Sequence, residues 1–457
     1  MNTTLPKVIR LGGALALVAA LVAFLVRSAE AQTPAPRRLS LGDAARLAAS
    51  QTAGVQSAQL HVEQAQSRVK QSKSALLPQV ELTPGWANHT VNSASFGFNF
   101  PPPAAGEKPL LDPAGQIIGP VGQWDVRGGV SQTLFDPAAT QRVRAARAGV
   151  TAASADVATA AEAAATNAAA IYVRALRSDA VLQARTADST LAADLLEIAR
   201  DQVEAGVGVA LDVTRAQSQL ANAHAQLLVA RNDRDRTRLE LRRALNVALD
   251  TPLELTDSLN SLPTVEAVAE ESAVDLAMRS RPDLKAAGAQ LEAAKQQVAV
   301  TRATRLPKVG VFGNDGQTGF ASNLLNTYTY GVQVSIPVFE GGRREAVAQE
   351  QEAAARDVEV RQRDLRQQVA VDVRGAMLDL NSAREQVAAA RERQRLAETE
   401  VQQARERFRA GVAGNADVIT ASQSLNGART GVIDALTAYQ AARVALARAQ
   451  GAVTQLR

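Results

Sequence analysis

The chain of 457 residues has no cysteine, three histidines and only 3% aromatic residues. Without cysteine, a disulfide scaffold, a thiolate nucleophile, a cysteine zinc site and a lipidated N-terminal cysteine are excluded. His61, His89 and His224 have no second histidine or carboxylate at helical i,i+3 or i,i+4 spacing. A histidine-based catalytic or metal site is therefore not predicted.

Large core residues are also scarce, because the hydrophobic content comes mainly from alanine, valine and leucine. Such a composition favours thin contacts between helices over one thick globular core. The formal net charge is +4, and lysine and arginine alternate with aspartate and glutamate along the chain. No basic face for nucleic acid is predicted.

The N-terminus has the layout of a secretory signal peptide. Lys7 and Arg10 precede the uncharged run Leu11–Val26, and Ala29-Glu30-Ala31 offers a small-residue cleavage site. We therefore expect residues 1–31 to be removed and the mature protein to lie outside the inner membrane. The alternative is a membrane anchor, although the run is short for a spanning helix.

Proline is absent from two long stretches, Ala138–Thr251 and Val338–Arg457. Since proline breaks helix interiors, both stretches are free to form long helices. We expect one helix from about Pro137 to Glu204 and another from about Gly342 to Arg409, each roughly 100 Å long. Helices of this length need neighbours along their whole length, from shorter helices and from other subunits.

Most aromatic residues lie in two segments, Gln79–Phe135 and Lys308–Phe339, where apolar and polar residues alternate. This period predicts a β-hairpin in each segment. Three consecutive prolines argue against regular structure in the first hairpin's loop, Pro101–Gly122. One apolar and one polar face match the wall of a transmembrane β-barrel. The alternative is a half-buried sheet in a soluble domain.

The two halves of the chain repeat each other. The matching pairs are Leu77-Pro78 with Leu306-Pro307, Leu134-Phe135-Asp136 with Val338-Phe339-Glu340, and Ala205-Gly206-Val207 with Ala410-Gly411-Val412. Each half predicts a helix, a hairpin, a very long helix, a short turn and a returning helix. Four strands leave two open edges, so other copies must complete the barrel. Two copies give eight strands and three give twelve, and strand counting does not choose between them.

With these motifs in two ordered copies, the chain resembles the TolC-like outer-membrane factor (outer membrane efflux protein) family of Gram-negative bacteria. The resemblance implies an α+β membrane protein, the tandem-repeat protomer of a trimeric 12-stranded β-barrel continued by a long periplasmic α-helical barrel. It also implies a protein with no enzymatic activity and no cofactor.

The implied organisation begins with the signal peptide, residues 1–31. The first structural repeat covers residues 32–271, with a β-hairpin at 79–135, a helical tip at 205–212 and an equatorial linker at 247–271. The second repeat covers residues 272–457, with a β-hairpin at 308–340 and a helical tip at 410–417.

The implied function is the outer-membrane channel of a tripartite efflux system. Such a channel passively conducts drugs, metals or other toxic small molecules from the inner-membrane pump and periplasmic adaptor to the exterior. The implied partners are two further copies in a homotrimer, an adaptor (membrane fusion protein), an inner-membrane transporter of the RND or ABC type, and outer-membrane lipid. The alternative within this fold is the duct of a type I protein secretion system.

The resemblance makes the two tips the surface that contacts the adaptor, although a plain helix–helix turn also explains their glycines. The tip residues are Gly206, Val207, Gly208, Val209, Gly411, Val412, Ala413 and Gly414.

Two carboxylates, Asp212 and Asp417, each lie six residues after the tip glycine. The resemblance implies that they belong to the periplasmic aperture. An acidic residue at the positive end of the returning helix is the alternative explanation. The chain departs from the family pattern twice, with Ala413 in place of a basic lock residue and Thr420 in place of a second aperture aspartate.

Other classes of protein explain the pattern less well. A periplasmic adaptor would show one helical hairpin between two halves of a lipoyl-like domain. A purely structural coiled coil would not need hairpins with one apolar face. An envelope enzyme would need a convergent catalytic set, and none is predicted here.

Overall fold

The computed structural model describes residues 37–96, 106, 115–260, 269–320, 322–410, 412 and 414–456. The predicted signal peptide, residues 1–31, lies outside these ranges, as do residues 261–268 of the predicted equatorial linker.

The described residues are largely helical, with a small parallel strand pair and a four-stranded sheet. The strands are β1 (Arg37–Leu39), β2 (Gln79–Asn92), β3 (Ile117–Phe135), β4 (Leu253–Leu255), β5 (Lys308–Phe320) and β6 (Asn323–Ser335). The helices are α1 (Leu41–Gln51), α2 (Ala53–Ser74), α3 (Pro137–Glu204), α4 (Ala210–Ala244), α5 (Glu270–Ser280), α6 (Pro282–Ala303), α7 (Arg343–Arg409) and α8 (Asn415–Gln450).

The two long helices match the prediction closely. The first has the expected bounds, and the second begins at Arg343 instead of Gly342. Gly341 and Gly342 precede it with φ of 62° and 80°. These left-handed conformations are strained for residues with a side chain, so the two glycines set the start of α7.

The four-stranded sheet has the order β2-β3-β5-β6, and all its pairs are antiparallel. Strands β3 and β5 are paired on both sides, whereas β2 and β6 are the edges. Paired residues share a face, so the register defines one largely apolar face, which Asp315 and Gln317 interrupt on β5. Its exposed members include Val80, Leu82, Trp86, Trp124, Val126, Val130, Tyr328, Tyr330, Val332 and Val334.

The prediction of an irregular loop over Pro101–Gly122 is wrong for residues 117–122, which belong to β3. Pairing of β3 with β5 begins only at Trp124, so this end of β3 is bonded to β2 alone. Pro120, which has no backbone N–H, is tolerated in a strand where one side is unpaired. The three consecutive prolines lie upstream of β3, so they did not indicate the residue at which this strand starts.

The chain separates into two compact units, each built from both halves of the sequence. One unit contains the described parts of Met1–Val55, Ala160–Ser280 and Ala370–Arg457. The other contains Gln56–Thr159 and Arg281–Val369, and therefore the whole four-stranded sheet. Within the described ranges, no helix combines the length and apolarity that crossing a membrane requires.

The first unit has the larger buried core, in which Tyr172 is fully buried and its hydroxyl donates to the Leu39 carbonyl (2.8 Å). This contact holds β1, which pairs in parallel with β4 of the inter-repeat segment. The Asp257 carboxylate accepts a 2.6 Å hydrogen bond from the Leu41 N–H at the start of α1. The sequence analysis did not predict this attachment of β1 and the start of α1 to the segment Leu253–Asp257.

Helix α1 starts with a capping box. The Ser40 hydroxyl accepts from the Asp43 N–H (3.1 Å), and the Asp43 carboxylate accepts from the Ser40 N–H (3.3 Å). Hydrogen bonds from the Ser40 side chain and Arg46 lower the pKa of Asp43. The contribution of the ionised carboxylate is therefore present above its unfolded pKa of about 3.9 and is lost as pH falls through the lowered folded value.

We predict that Ser40→Ala speeds hydrogen exchange of the first-turn amides of α1 about fivefold at neutral pH, because a serine N-cap contributes about 1 kcal/mol. Ser50→Ala is the matched control, since the Ser50 hydroxyl bonds only to the Leu47 carbonyl within the helix among the contacts resolved. Equal exchange in the two variants would contradict the capping role.

Candidate functional site at the two helical turns

The first turn joins α3 to α4 and depends on two glycines. The N–H groups of Val207 and Gly208 both donate to the Gln202 carbonyl, at 3.0 and 2.8 Å, and Gly206 has φ of 75°. A Cβ on Gly208 would lie 2.9 Å from the Gln202 Cβ. The turn therefore requires glycine at 206 for its backbone conformation and at 208 for its close approach.

The second turn joins α7 to α8 with the same backbone bond at the same offset. The Val412 N–H donates to the Arg407 carbonyl at 3.0 Å, as Val207 does to Gln202. Gly414 is the N-cap residue of α8, as Val209 is of α4. Gly411 and Ala413 lie outside the described residues.

Both turns present small apolar side chains. Val207, Val209 and Val412 are 79%, 64% and 72% exposed. Single exposed valines are ordinary, but three at two turns form an apolar surface that suits contact with another protein.

The two aspartates occupy the same position in their helices but differ in environment. Each lies in the first turn, and neither N-cap residue supplies a side-chain cap, so both carboxylates favour the positive end of a helix. The Asp212 side chain is 16% exposed and lies 3.8 Å from the Arg215 guanidinium. Asp417 is exposed and forms no ion pair with a described residue. Of the two, Asp417 is the one whose charge faces solvent.

Two amide side chains that the sequence analysis missed connect the turns. The Gln202 side-chain amide donates to the Phe408 carbonyl at 2.8 Å, and the Asn415 side-chain amide donates to the Asp212 carbonyl at 3.0 Å. Asn415 is fully buried, and its Oδ1 atom accepts no hydrogen bond from a described residue. One bond joins the ends of α3 and α7, and the other joins the starts of α4 and α8. We call this pair the amide clamp.

A small apolar core packs behind the amide clamp, and a buried charge lies further along α3. The core comprises Leu195, Leu196, Ala199, Ala216, Phe408 and Val418. Asp188, 5% exposed, accepts from Arg429 of α8 at 2.9 Å and from Arg185 of its own helix at 3.1 Å. Removing one partner of such a buried pair is costly, so these contacts restrain α3 against α8.

No group of three or more histidine, aspartate or glutamate side chains in the described part of the chain could hold a metal ion. The hydrogen bonds described at both turns are made within the protein. The exposed valines there form an apolar surface. Residues 44–247 and 273–452, most of each half, match the outer membrane efflux protein family.

The chain belongs to that family.

Two curated relatives and one solved structure illustrate the similarity. The alkaline protease secretion protein AprF of Pseudomonas aeruginosa is 27% identical over 285 residues, which cover 54% of this chain and 55% of that relative. The outer membrane efflux protein BepC of Brucella suis is 26% identical over 334 residues, or 71% of each chain. The crystal structure of VceC from Vibrio cholerae superposes with a TM-score of 0.72 at 19% identity, covering 90% of this chain and 96% of that one.

The family assignment confirms the predicted resemblance, the outer-membrane location in a Gram-negative bacterium and the class of efflux and transport channel. Its relatives and structural neighbours are channel proteins and not enzymes. The fold likeness extends to both halves, whereas the roles of the tip residues stay predictions.

We predict that Asn415→Ala and Gln202→Ala each speed hydrogen exchange of the backbone amides at both turns. Each substitution removes one bond between the turns, and such a bond contributes about 1 kcal/mol, or roughly fivefold in exchange. Gln394→Ala is the matched control, because the Gln394 amide bonds to Glu398 on its own helix. Faster exchange at only the substituted turn would show that the amide clamp does not couple the two turns.

Proposed function

We propose that this protein is the homotrimeric outer-membrane duct of a tripartite efflux system. Three four-stranded sheets form a 12-stranded barrel, and the helices form a periplasmic tunnel. A periplasmic adaptor binds the tips, and an inner-membrane transporter of the RND or ABC type delivers small toxic molecules that leave by passive conduction.

The observation that carries this proposal is the four-stranded sheet with one apolar face and two open edges. Val80 and Leu82 are 78% and 71% exposed on edge strand β2, and Tyr328 and Tyr330 are 75% and 80% exposed on edge strand β6. Apolar side chains of this kind suit lipid. Open edges do not, because unpaired backbone groups are costly in hydrocarbon. Pairing β6 of one copy with β2 of the next satisfies both requirements.

Fractionation and crosslinking test the assembly. We expect the mature protein in the outer-membrane fraction, where a short crosslinker converts it to trimers. Recovery as a soluble periplasmic monomer would contradict the barrel, and a crosslinked dimer would contradict the stoichiometry.

At the aperture, Asp417 supplies an exposed carboxylate from each protomer. We predict that Asp417→Ala reduces the cation selectivity of single-channel conductance in planar bilayers and its sensitivity to divalent cations, because a ring of negative charge concentrates cations. Asp364→Ala is the control, since Asp364 is an exposed carboxylate of α7 with no ion-pair partner among the described residues. Unchanged selectivity in Asp417→Ala would leave only the helix-dipole explanation.

A type I secretion duct is the second candidate, favoured by the similarity to AprF, whose name describes protease secretion. A deletion strain separates the two functions. Increased accumulation of ethidium, reversed by the wild-type gene, supports efflux. Loss of a protein from the culture supernatant with unchanged ethidium accumulation supports secretion.

A further inference from the structure

The aromatic residue Phe312 lies on the face of the sheet opposite the apolar face, among polar neighbours. In the register, Phe312 pairs with Ser131 of β3 and Gly331 of β6, and Ser131 pairs with Gln79 of β2. The next row towards the start of β5 holds Thr133, Gly310 and Gln333, and the row after it holds Lys308 and Ser335. Polar side chains and glycines thus surround the Phe312 ring in these three rows, and Phe320 of the same face lies eight positions further along β5.

Packing within the sheet covers only one side of the Phe312 ring. A Cβ placed on Gly331 would lie 3.1 Å from the Phe312 Cζ and 3.2 Å from its Cε1, so the ring covers the glycine. Aromatic side chains often protect strand glycines in this way. Phe312 nevertheless remains 36% exposed, so part of the ring is open to a second molecule.

The open side of the ring forms one wall of a cavity of about 230 Å³. Its other walls include three hydroxyls, two carboxamides of the same face and an ammonium group. These belong to Ser131, Thr133, Ser335, Gln79, Gln333 and Lys308.

Lys308 is exposed and forms no ion pair with a described residue. In contrast, Arg127 of the same face is paired with Asp125 at 2.6 Å. The cavity therefore combines an accessible aromatic surface, neutral hydrogen-bonding groups and an unpaired positive charge.

We propose that this cavity is a binding subsite for planar aromatic carboxylates. It stacks the rings on Phe312 and attracts the carboxylate towards Lys308. The Cα atoms of these residues are four positions apart on one strand, or about 13 Å. A fused two-ring acid spans more of that distance than a single-ring acid. The proposal rests on the proposed function, because it requires the polar face to line the lumen of the duct.

The subsite needs no second copy of the chain. Phe312 and Lys308 lie on β5, which is paired on both sides within one protomer, and Gln79 is supplied by the same chain's β2. Each protomer of a trimer therefore carries its own subsite on the inner wall. Binding at such an open site is weak and brief, and it slows a passing solute without closing the duct.

The test is reversible block of single-channel current by 2-naphthoate, using the purified full-length protein in planar bilayers. We expect brief concentration-dependent interruptions in the wild type. Phe312→Leu keeps an apolar side chain but removes the ring, and should raise the Kd for block about three- to tenfold. Phe312→Tyr keeps the ring and should keep the block. Lys308→Gln should raise the Kd about two- to fivefold, as expected for losing an exposed ionic contact.

Two controls assign the effect to this cavity. Phe320→Leu changes another phenylalanine of the same strand and face, paired with Asn323, and should leave block unchanged. Neutral 2-naphthylmethanol should block the wild type and Lys308→Gln alike. Absence of naphthoate block in the wild type, or equal Kd values in the wild type and Phe312→Leu, would overturn the subsite. Conductance without naphthoate reports on the proposed duct separately, so a conducting channel without block rejects the subsite alone.

Discussion

Backbone hydrogen bonding is the constraint on which the rest of this structure depends. An N–H or C=O group in hydrocarbon has no water to bond, so a sheet with an apolar outer face must have every strand paired. Within one chain β5 and the part of β3 from Trp124 onwards meet this condition, and β2 and β6 do not. The proposed trimer follows from the lack of partners for β2 and β6. If the apolar face of a single protomer lay in lipid, these open edges would lie in lipid as well.

The elements could be predicted where a single local signal dominates. Absence of proline marked the stretches that hold the long helices, and the repeated junctions and Ala-Gly-Val turns placed their bounds to within one residue. Alternation marked the hairpins, because the two faces of the sheet meet different surroundings. The start of β3 could not be predicted, because it depends on how far β2 extends as a partner. Pairing of β1 with β4 joins residues more than two hundred positions apart, and neither strand has a distinctive pattern.

At the turns, repetition revealed Gly206, Asp212 and Asp417 because the same residue type recurs in each half. The amide clamp was not predicted, because its two donor residues do not recur in both halves. Gln202 corresponds to Arg407 and Asn415 corresponds to Ala210, so each donor is present in one half only. Asp188 and Arg429 likewise have no counterpart pair in the other half. Residues that bind one repeat to the other can occur in one repeat only, and a search for residues that both repeats share does not find them.

Because each half supplies one of the two donors, the two halves depend on each other for the complete amide clamp. In the proposed trimer, six copies of the first half alone would have glutamine at every turn but no asparagine. Six copies of the second half would have asparagine but arginine in place of glutamine. Either assembly would retain one of the two bonds between neighbouring turns and lose the other. With the donors divided in this way, having both halves in one chain places one turn of each kind in every protomer of the proposed trimer.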